Sequence, residues 1–136
     1  QRVVQQVEEV FPCIVWAKLI HPSVIIDRKT SWVYEGSAIC AGSIITTNVT
    51  VGKHVLINLA TTIGHDAKIG NFCVINPGVR VSGDVVIEDA VLVGTGAVIL
   101  QKKRIGHGAT VGASACVTRD VTCDTVVTGV PAKVQS

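Results

Sequence analysis

Methionine is absent from the 136 residues, and the first residue is Gln1, which leads us to expect a processed or trimmed product. Aromatic residues are only 4% of the chain, so a core must be built from Val, Ile, Ala and Thr rather than from large rings. Charged residues are 16%, below the usual quarter, while hydrophobic residues reach 48%. That balance excludes intrinsic disorder, which needs low hydrophobicity and high charge. A net charge of +2 without a dense Lys/Arg stretch argues against a nucleic-acid partner. No apolar run reaches the ~18 residues of a membrane span, and no basic start with an apolar core and cleavage site marks a secretory signal. Cys13, Cys40, Cys73, Cys116 and Cys123 are odd in number and form no C-x-x-C pair, the pattern of reduced thiols in a cytoplasmic protein. No Walker A or G-x-G-x-x-G motif signals a triphosphate or dinucleotide site. The length leaves room for one full domain.

What is present is a period of six. From Val33, every sixth residue to Val117 is Ile or Val, fifteen in succession without an insertion. Four residues after each comes a mostly small position, from Ser37 and Ser43 to Ala115 and Val121, and only Lys103 among these is charged. Gly52, Gly64, Gly70, Gly94, Gly106 and Gly112 follow their Ile or Val directly, where we expect them to supply the unusual backbone angles of a turn. Six residues do not fit a helical repeat of 3.6, and β-branched residues favour strands. A short strand and a turn, repeated, wind a coil; three such sides close a triangle of eighteen residues. One Ile or Val and one small residue per repeat point inward and stack on their equivalents in the next coil. Residues 33–122 then make five coils, a prism roughly 24 Å long at the spacing of paired strands. Lys103 at an inward position predicts an outward bulge.

Two regions leave the frame. Ile20, Ile26 and Trp32 continue the period shifted by one, which places an extra residue in 32–38 and starts a sixth coil near Ile20. Val3, Val4, Val7, Val10 and Phe11 have helical spacing, Pro12 stops the helix, and 13–17 reads as a strand. The expected architecture is all-β: a β-helix of about six triangular coils over 19–128, a short helix and strand over 1–18, and a tail over 129–136.

The repeats resemble the hexapeptide-repeat acyltransferases, whose fold is the left-handed parallel β-helix. The hand is implied by that resemblance; ordinary crossover rules favour the right hand. Leu19-Ile20-His21-Pro22-Ser23, Ile63-Gly64-His65-Asp66-Ala67-Lys68-Ile69-Gly70-Asn71-Phe72, Asn76-Pro77-Gly78 and Gly129-Val130-Pro131-Ala132-Lys133 are similar to the family of sialic acid O-acetyltransferases and bacillosamine-type 4-amino-sugar N-acetyltransferases. The resemblance covers nearly the whole chain. It implies an acetyl-CoA-dependent transferase acting on an amino group or hydroxyl of a sugar or nucleotide sugar, without a metal, as a cytoplasmic homotrimer with sites between subunits. Residues 1–11 look like the last helix of that family's N-terminal nucleotide-sugar lobe, whose remainder is missing from this sequence. Val74 stands where the family often has a second His.

Acetyl transfer from a thioester needs an acceptor that loses a proton as it attacks, and histidine is the side chain best matched to that task. His65 sits where the chain turns and faces outward. Gly83 lies eighteen residues on, directly beside it, and its missing side chain leaves room for the pantetheine arm. Asp66 is placed to orient the ring, the part that the family's acid plays. Asn58 and Asn76 are eighteen apart and expected to stack; by resemblance Asn58 also hydrogen-bonds in the site. By the same motif matching Gly83, Thr95 and Ala113 line the coenzyme A groove, and Lys133 is a phosphate contact. Lys102, Lys103 and Arg104 form the only basic cluster, a phosphate contact or a solvated turn.

His21 reads as structural, and His54 and His107 as exposed turn residues. The γ-class carbonic anhydrases share the fold and bind zinc through histidines. Here the histidine spacings are 33, 11 and 42, and their pattern is missing. The competing reading from another class is a non-catalytic trimeric assembly module. Val74, Val86, Leu92 and Val98 fall outside the two inward positions and point to an apolar interface.

Overall fold

Each six-residue unit folds alike: a two-residue strand with the Ile or Val second, then a four-residue turn. Successive strand residues face opposite sides, so the first points to solvent and the second to the bore. The computed structural model describes residues 1–135; Ser136, the last residue of the expected tail, lies outside the described residues. The strands stack into parallel sheets of eight, six and five members, the eighth strand of the largest being antiparallel. The first face includes Leu56–Ile57, Val74–Ile75 and Leu92–Val93; the second Thr62–Ile63, Arg80–Val81 and Val98–Ile99; the third Lys68–Ile69, Val86–Ile87 and Arg104–Ile105. Partners lie eighteen residues apart, Leu56 on Val74, Thr62 on Arg80 and Lys68 on Val86. Three sides therefore close one coil, and about six coils stack as a left-handed parallel β-helix.

The inward ladder is buried from Ile39 to Val117, and only Val33, at the open end, is half-buried. Where the small position is polar, the hydroxyl is used: Ser37 Oγ donates to the Gly52 carbonyl at 2.7 Å and accepts the Val55 N–H at 2.9 Å. Ser43 and Thr61 donate in the same way to Asn58 and Asn76 carbonyls. Among the described residues no buried side-chain polar atom lacks a partner. Burial pushes the Cys73 thiol up to about 11, so it stays a protonated core group.

The turns are built differently from the expectation. Positive φ falls three residues after the ladder position, not one, and ten of these residues are not glycine, among them Asn48, His54, Asp66, Phe72 and Asp84. The glycines directly after the ladder residue have a packing role instead. A Cβ on Gly64 would lie 2.6 Å from the Gly83 nitrogen, and one on Gly52 would lie 2.8 Å from the Gly70 carbonyl carbon. They let one coil's backbone rest on the next. Nor does Lys103 bulge: Val86 N–H donates to its carbonyl at 2.9 Å and Arg104 pairs with Val86 in register.

Both register shifts are local. Ile25 pairs with Ile44, nineteen residues on, but Trp32 pairs with Thr50, eighteen on. The extra residue is thus in 27–31, ahead of Trp32, and not in 32–38; Val33 faces the bore and Trp32 faces out. Asp27 closes this wider turn, its carboxylate accepting the Lys29 N–H at 3.0 Å and the Thr30 hydroxyl at 2.6 Å. At the other end Val121 bridges Ile105 and Val126 pairs with Thr110, both sixteen apart, so two residues are missing after Val117.

The helix α1 (Arg2–Val10) buries none of its residues. Residues 13–17, expected as a strand, have no ladder partner and run irregularly into the first coil. Trp16 ties the segment down: its indole N–H donates to Glu8 at 2.9 Å, and its ring meets His54 edge-on at 4.8 Å. His54 in turn stacks on Phe72 at 5.2 Å. It is therefore half-buried between two rings, rather than a free turn residue. Among the described residues no helix is long and apolar enough to cross a membrane.

Candidate functional site

His65 lies at the corner between the second and third faces, two residues after the inward Ile63 and one before Asp66. Asp66 takes positive φ, 60°, and this turns its carboxylate back along the corner. The result is a 2.7 Å contact between His65 Nδ1 and Asp66 Oδ2. The opposite carboxylate oxygen accepts the Asn48 side-chain N–H at 2.5 Å. The hydrogen bond from His65 first, and that from Asn48 second, hold the Asp66 carboxyl below the usual carboxylate range. An ionised carboxylate only accepts, so the proton of the neutral imidazole sits on Nδ1 and Nε2 is left with a free lone pair.

The ring occupies a gap made for it. A Cβ on Gly83 would collide with His65 Nε2 and stand 2.6 Å from its Cε1. The imidazole itself fills the space beside Gly83 that is expected to take the pantetheine arm. The His65 side chain is still 59% exposed. Asp84, in the next coil, brings a carboxylate oxygen within 4.8 Å of His65 and Asp66. Those three groups could hold a cation, and nothing else in the geometry selects one.

Other expected site residues lie elsewhere on the chain. Asn58, Thr95 and Ala113 all follow first-face strands and share the corner between the first and second faces. Thr95 and Ala113 are neighbours there, Ser114 N–H donating to the Thr95 carbonyl at 2.8 Å. Asn58 Oδ1 accepts the Leu59 N–H at 2.9 Å, and no hydrogen bond joins it to His65 or Asp66 among the described residues. Asn58 and Asn76 stand one coil apart in register, as expected, with no side-chain hydrogen bond between them among the described residues; Asn76 donates to the Val93 carbonyl at 3.0 Å. Lys133 is on the closing strand Lys133–Val134, antiparallel to Val126–Thr128, beside a depression lined by Arg119, Asp120 and Val127. In the basic cluster, Arg104 Nε donates to Glu88 at 2.7 Å, whereas Lys102 stands next after Asp84 along the corner of His65.

His21 Nδ1 accepts the Ser23 N–H at 3.2 Å, a turn-forming role. Sequence reasoning missed Asn48 and Asp84. Their places, one coil before and one coil after Asp66 at steps of eighteen, could have been counted, but not their contacts with it.

The bacterial transferase hexapeptide (six repeats) family matches residues 66–101. PerB from Caulobacter crescentus, in complex with CoA and GDP-perosamine, superposes with a TM-score of 0.93 and 28% identity, over 99% of this chain and 66% of that one. The acetyltransferase domain of PglB from Neisseria gonorrhoeae, in complex with acetyl coenzyme A, gives 0.91 and 29%, over 98% and 66%. The acyl-[acyl-carrier-protein]–UDP-N-acetylglucosamine O-acyltransferase of Ectopseudomonas mendocina is 32% identical over 114 residues, 83% of this chain and 43% of that protein. The chain thus spans less than half the length of the curated relatives it matches. With its uninterrupted six-residue ladder and its register of eighteen, the chain is a hexapeptide-repeat left-handed β-helix of the kind these sugar acyltransferases carry.

Proposed function

We propose that the chain forms the catalytic β-helix of an acetyl-CoA-dependent acetyltransferase acting on an amino group or hydroxyl of a sugar or nucleotide sugar. The observation that carries this reading is the His65–Asp66 pair, with Nδ1 held at 2.7 Å and the ring exposed over Gly83. Nε2 accepts the proton from the acceptor nitrogen or oxygen as its lone pair attacks the thioester carbonyl carbon. The tetrahedral intermediate collapses, the carbon–sulfur bond breaks, and the CoA thiolate leaves and takes up a proton. The acetyl group goes directly to the acceptor, without an acyl-enzyme. Asp66 orients the ring and stabilises its protonated form. The relatives crystallised with CoA, acetyl-CoA and GDP-perosamine support the donor and the acceptor class.

Asn58, Thr95 and Ala113 stand on a different edge of the prism from His65 and Gly83. One chain therefore does not bring the expected groups together. A homotrimer, with an edge of each chain against the next, would complete the site between subunits. Free thiols and an acetyl-CoA donor fit a cytoplasmic setting.

The test is free-thiol release from acetyl-CoA, with and without a panel of nucleotide-linked amino sugars, at saturating acceptor. His65→Ala should lower kcat by about 10²–10⁴-fold and leave CoA affinity nearly unchanged. Parental turnover in His65→Ala would remove His65 from the chemistry. Absence of CoA binding by calorimetry would favour the non-catalytic assembly module.

A further inference from the structure

The carboxylate that orients His65 is itself held in place by the two preceding coils. Asp66 stands between unlike neighbours along its corner. On one side the Asn48 amide donates to Oδ1 at 2.5 Å. On the other Asp84 brings a like charge within 4.8 Å. His65 accounts for one carboxylate oxygen of Asp66, and a second donor is needed to fix the other. Asn48 is that donor, and its own orientation is set from the first coil. Its backbone, at φ 56°, donates N–H to Thr30 Oγ1 at 2.9 Å. Thr30 has one hydroxyl proton, which goes to the acceptor-only Asp27 carboxylate at 2.6 Å. The Thr47 hydroxyl, 2.9 Å from Thr30 Oγ1, must then be the donor of that pair. Asn48 thus donates in both directions, its backbone N–H to Thr30 and its side-chain N–H to Asp66, and links the Asp27–Thr30 pair of the first coil to the Asp66–His65 pair. The extra residue of the 27–31 turn creates the turn that places Thr30.

We propose that Asn48 is a positioning residue, supported by Thr30, that fixes the Asp66 carboxylate and thereby keeps the neutral His65 ring in the Nδ1–H tautomer with Nε2 free. The consequence for turnover rests on the acetyltransferase reading; the consequence for the tautomer does not. A mainly structural asparagine, chosen for its left-handed backbone, would be replaced by glycine without effect on the ring.

The experiment is ¹⁵N NMR of the histidine rings in the parent, in Asn48→Gly and in Thr30→Val, with His65→Ala assigning the signal, at a pH where the ring is neutral. Glycine accepts the φ of position 48, so Asn48→Gly should fold, and its melting curve checks this. The parent should show His65 predominantly as the Nδ1–H tautomer. Asn48→Gly should convert it to a mixture, and Thr30→Val should do so in part and also reports if Asn48→Gly does not fold. With an acceptor that turns over, Asn48→Gly should lower kcat about 10-fold, the scale of one hydrogen bond to a charged group, with KM for acetyl-CoA unchanged. An unchanged tautomer ratio in both variants, or a parent ring already mixed, overturns the proposal even if turnover falls. If the parent shows no transferase activity, the acetyltransferase reading fails and the tautomer measurement still decides the role of Asn48.

Discussion

The His65 imidazole lies in the volume that a side chain on Gly83 would fill, eighteen residues on and one coil along. The glycine is therefore a condition for the ring's position over the corner, where Asp66 meets it. Gly64, one residue before His65, contacts the same neighbouring coil through backbone alone. The two glycines answer to different neighbours, and replacing them should have different effects.

Gly83→Ala sets a methyl against an exposed ring that can swing aside. We expect a melting temperature within a few degrees of the parent's but loss of the His65–Asp66 contact, read as a fall in turnover of about 10-fold or more. Gly64→Ala sets a methyl 2.6 Å from backbone that cannot swing. That variant should lose about 1–3 kcal/mol of stability by denaturant unfolding. Equal stability losses for the two would contradict this division.

Ile69 is 2% exposed in the inward ladder, paired in register with Val51 and Ile87. Ile69→Asp would bury a carboxylate without a partner and should prevent folding. Ile69→Val removes one methylene and should cost only about 0.5–1.5 kcal/mol. A soluble Ile69→Asp protein with a cooperative melt would break the proposed register.

Acid should destabilise the corners. The His107 N–H first, and the Arg104 guanidinium next, hold Glu88 below its ordinary value of 4.5. The Thr30 hydroxyl and then the Lys29 N–H lower Asp27. A depressed carboxyl stabilises the fold above its unfolded value, and that contribution is lost as pH falls through the folded one. Melting temperatures of the parent and Glu88→Gln should therefore differ most above the ordinary carboxyl value of 4.5 and converge as pH falls through the depressed folded value. A gap that widens on acidification would reverse the sign and refute the assignment.

Leu92 is 41% exposed and stands outward on the first face between Val74 and Thr110. Val98 is on the second face and Val86 on the third, so the apolar positions expected to mark one interface are divided among three. Light scattering at micromolar concentration should give the mass of three chains if the proposed trimer forms, and Leu92→Arg should lower it. A monomeric parent would contradict the proposal.

Much of this protein could be read without coordinates. The ladder from Val33 to Val117 determined a coil of three six-residue sides, because only an inward residue every six positions satisfies so regular a β-branched pattern. It also determined that Gly83 adjoins His65, since a register of eighteen needs only counting. The frame shift at the first coil was visible, but its position was not: Trp32 is as apolar as an inward residue, and only the pairing of Trp32 with Thr50 shows it facing out. Which turn residue adopts positive φ was likewise hidden, because asparagine, aspartate, histidine, phenylalanine and glycine all hold that place.

The sequence by itself determined the period, the core and the pairing of His65 with its following acid. Tertiary structure alone decided which neighbours act on that acid. Asn48 and Asp84 are far from Asp66 along the chain and reach it only because stacked coils bring every eighteenth residue to one corner. Whether side chains in such a column meet depends on φ at each turn, on the hydrogen bonds fixed in earlier coils, and on charge. None of these follows from the period. For the same reason Asn58 and His65, seven residues apart, fall on different edges of the prism: each six-residue side turns the chain through a corner, and closeness in sequence becomes separation in space.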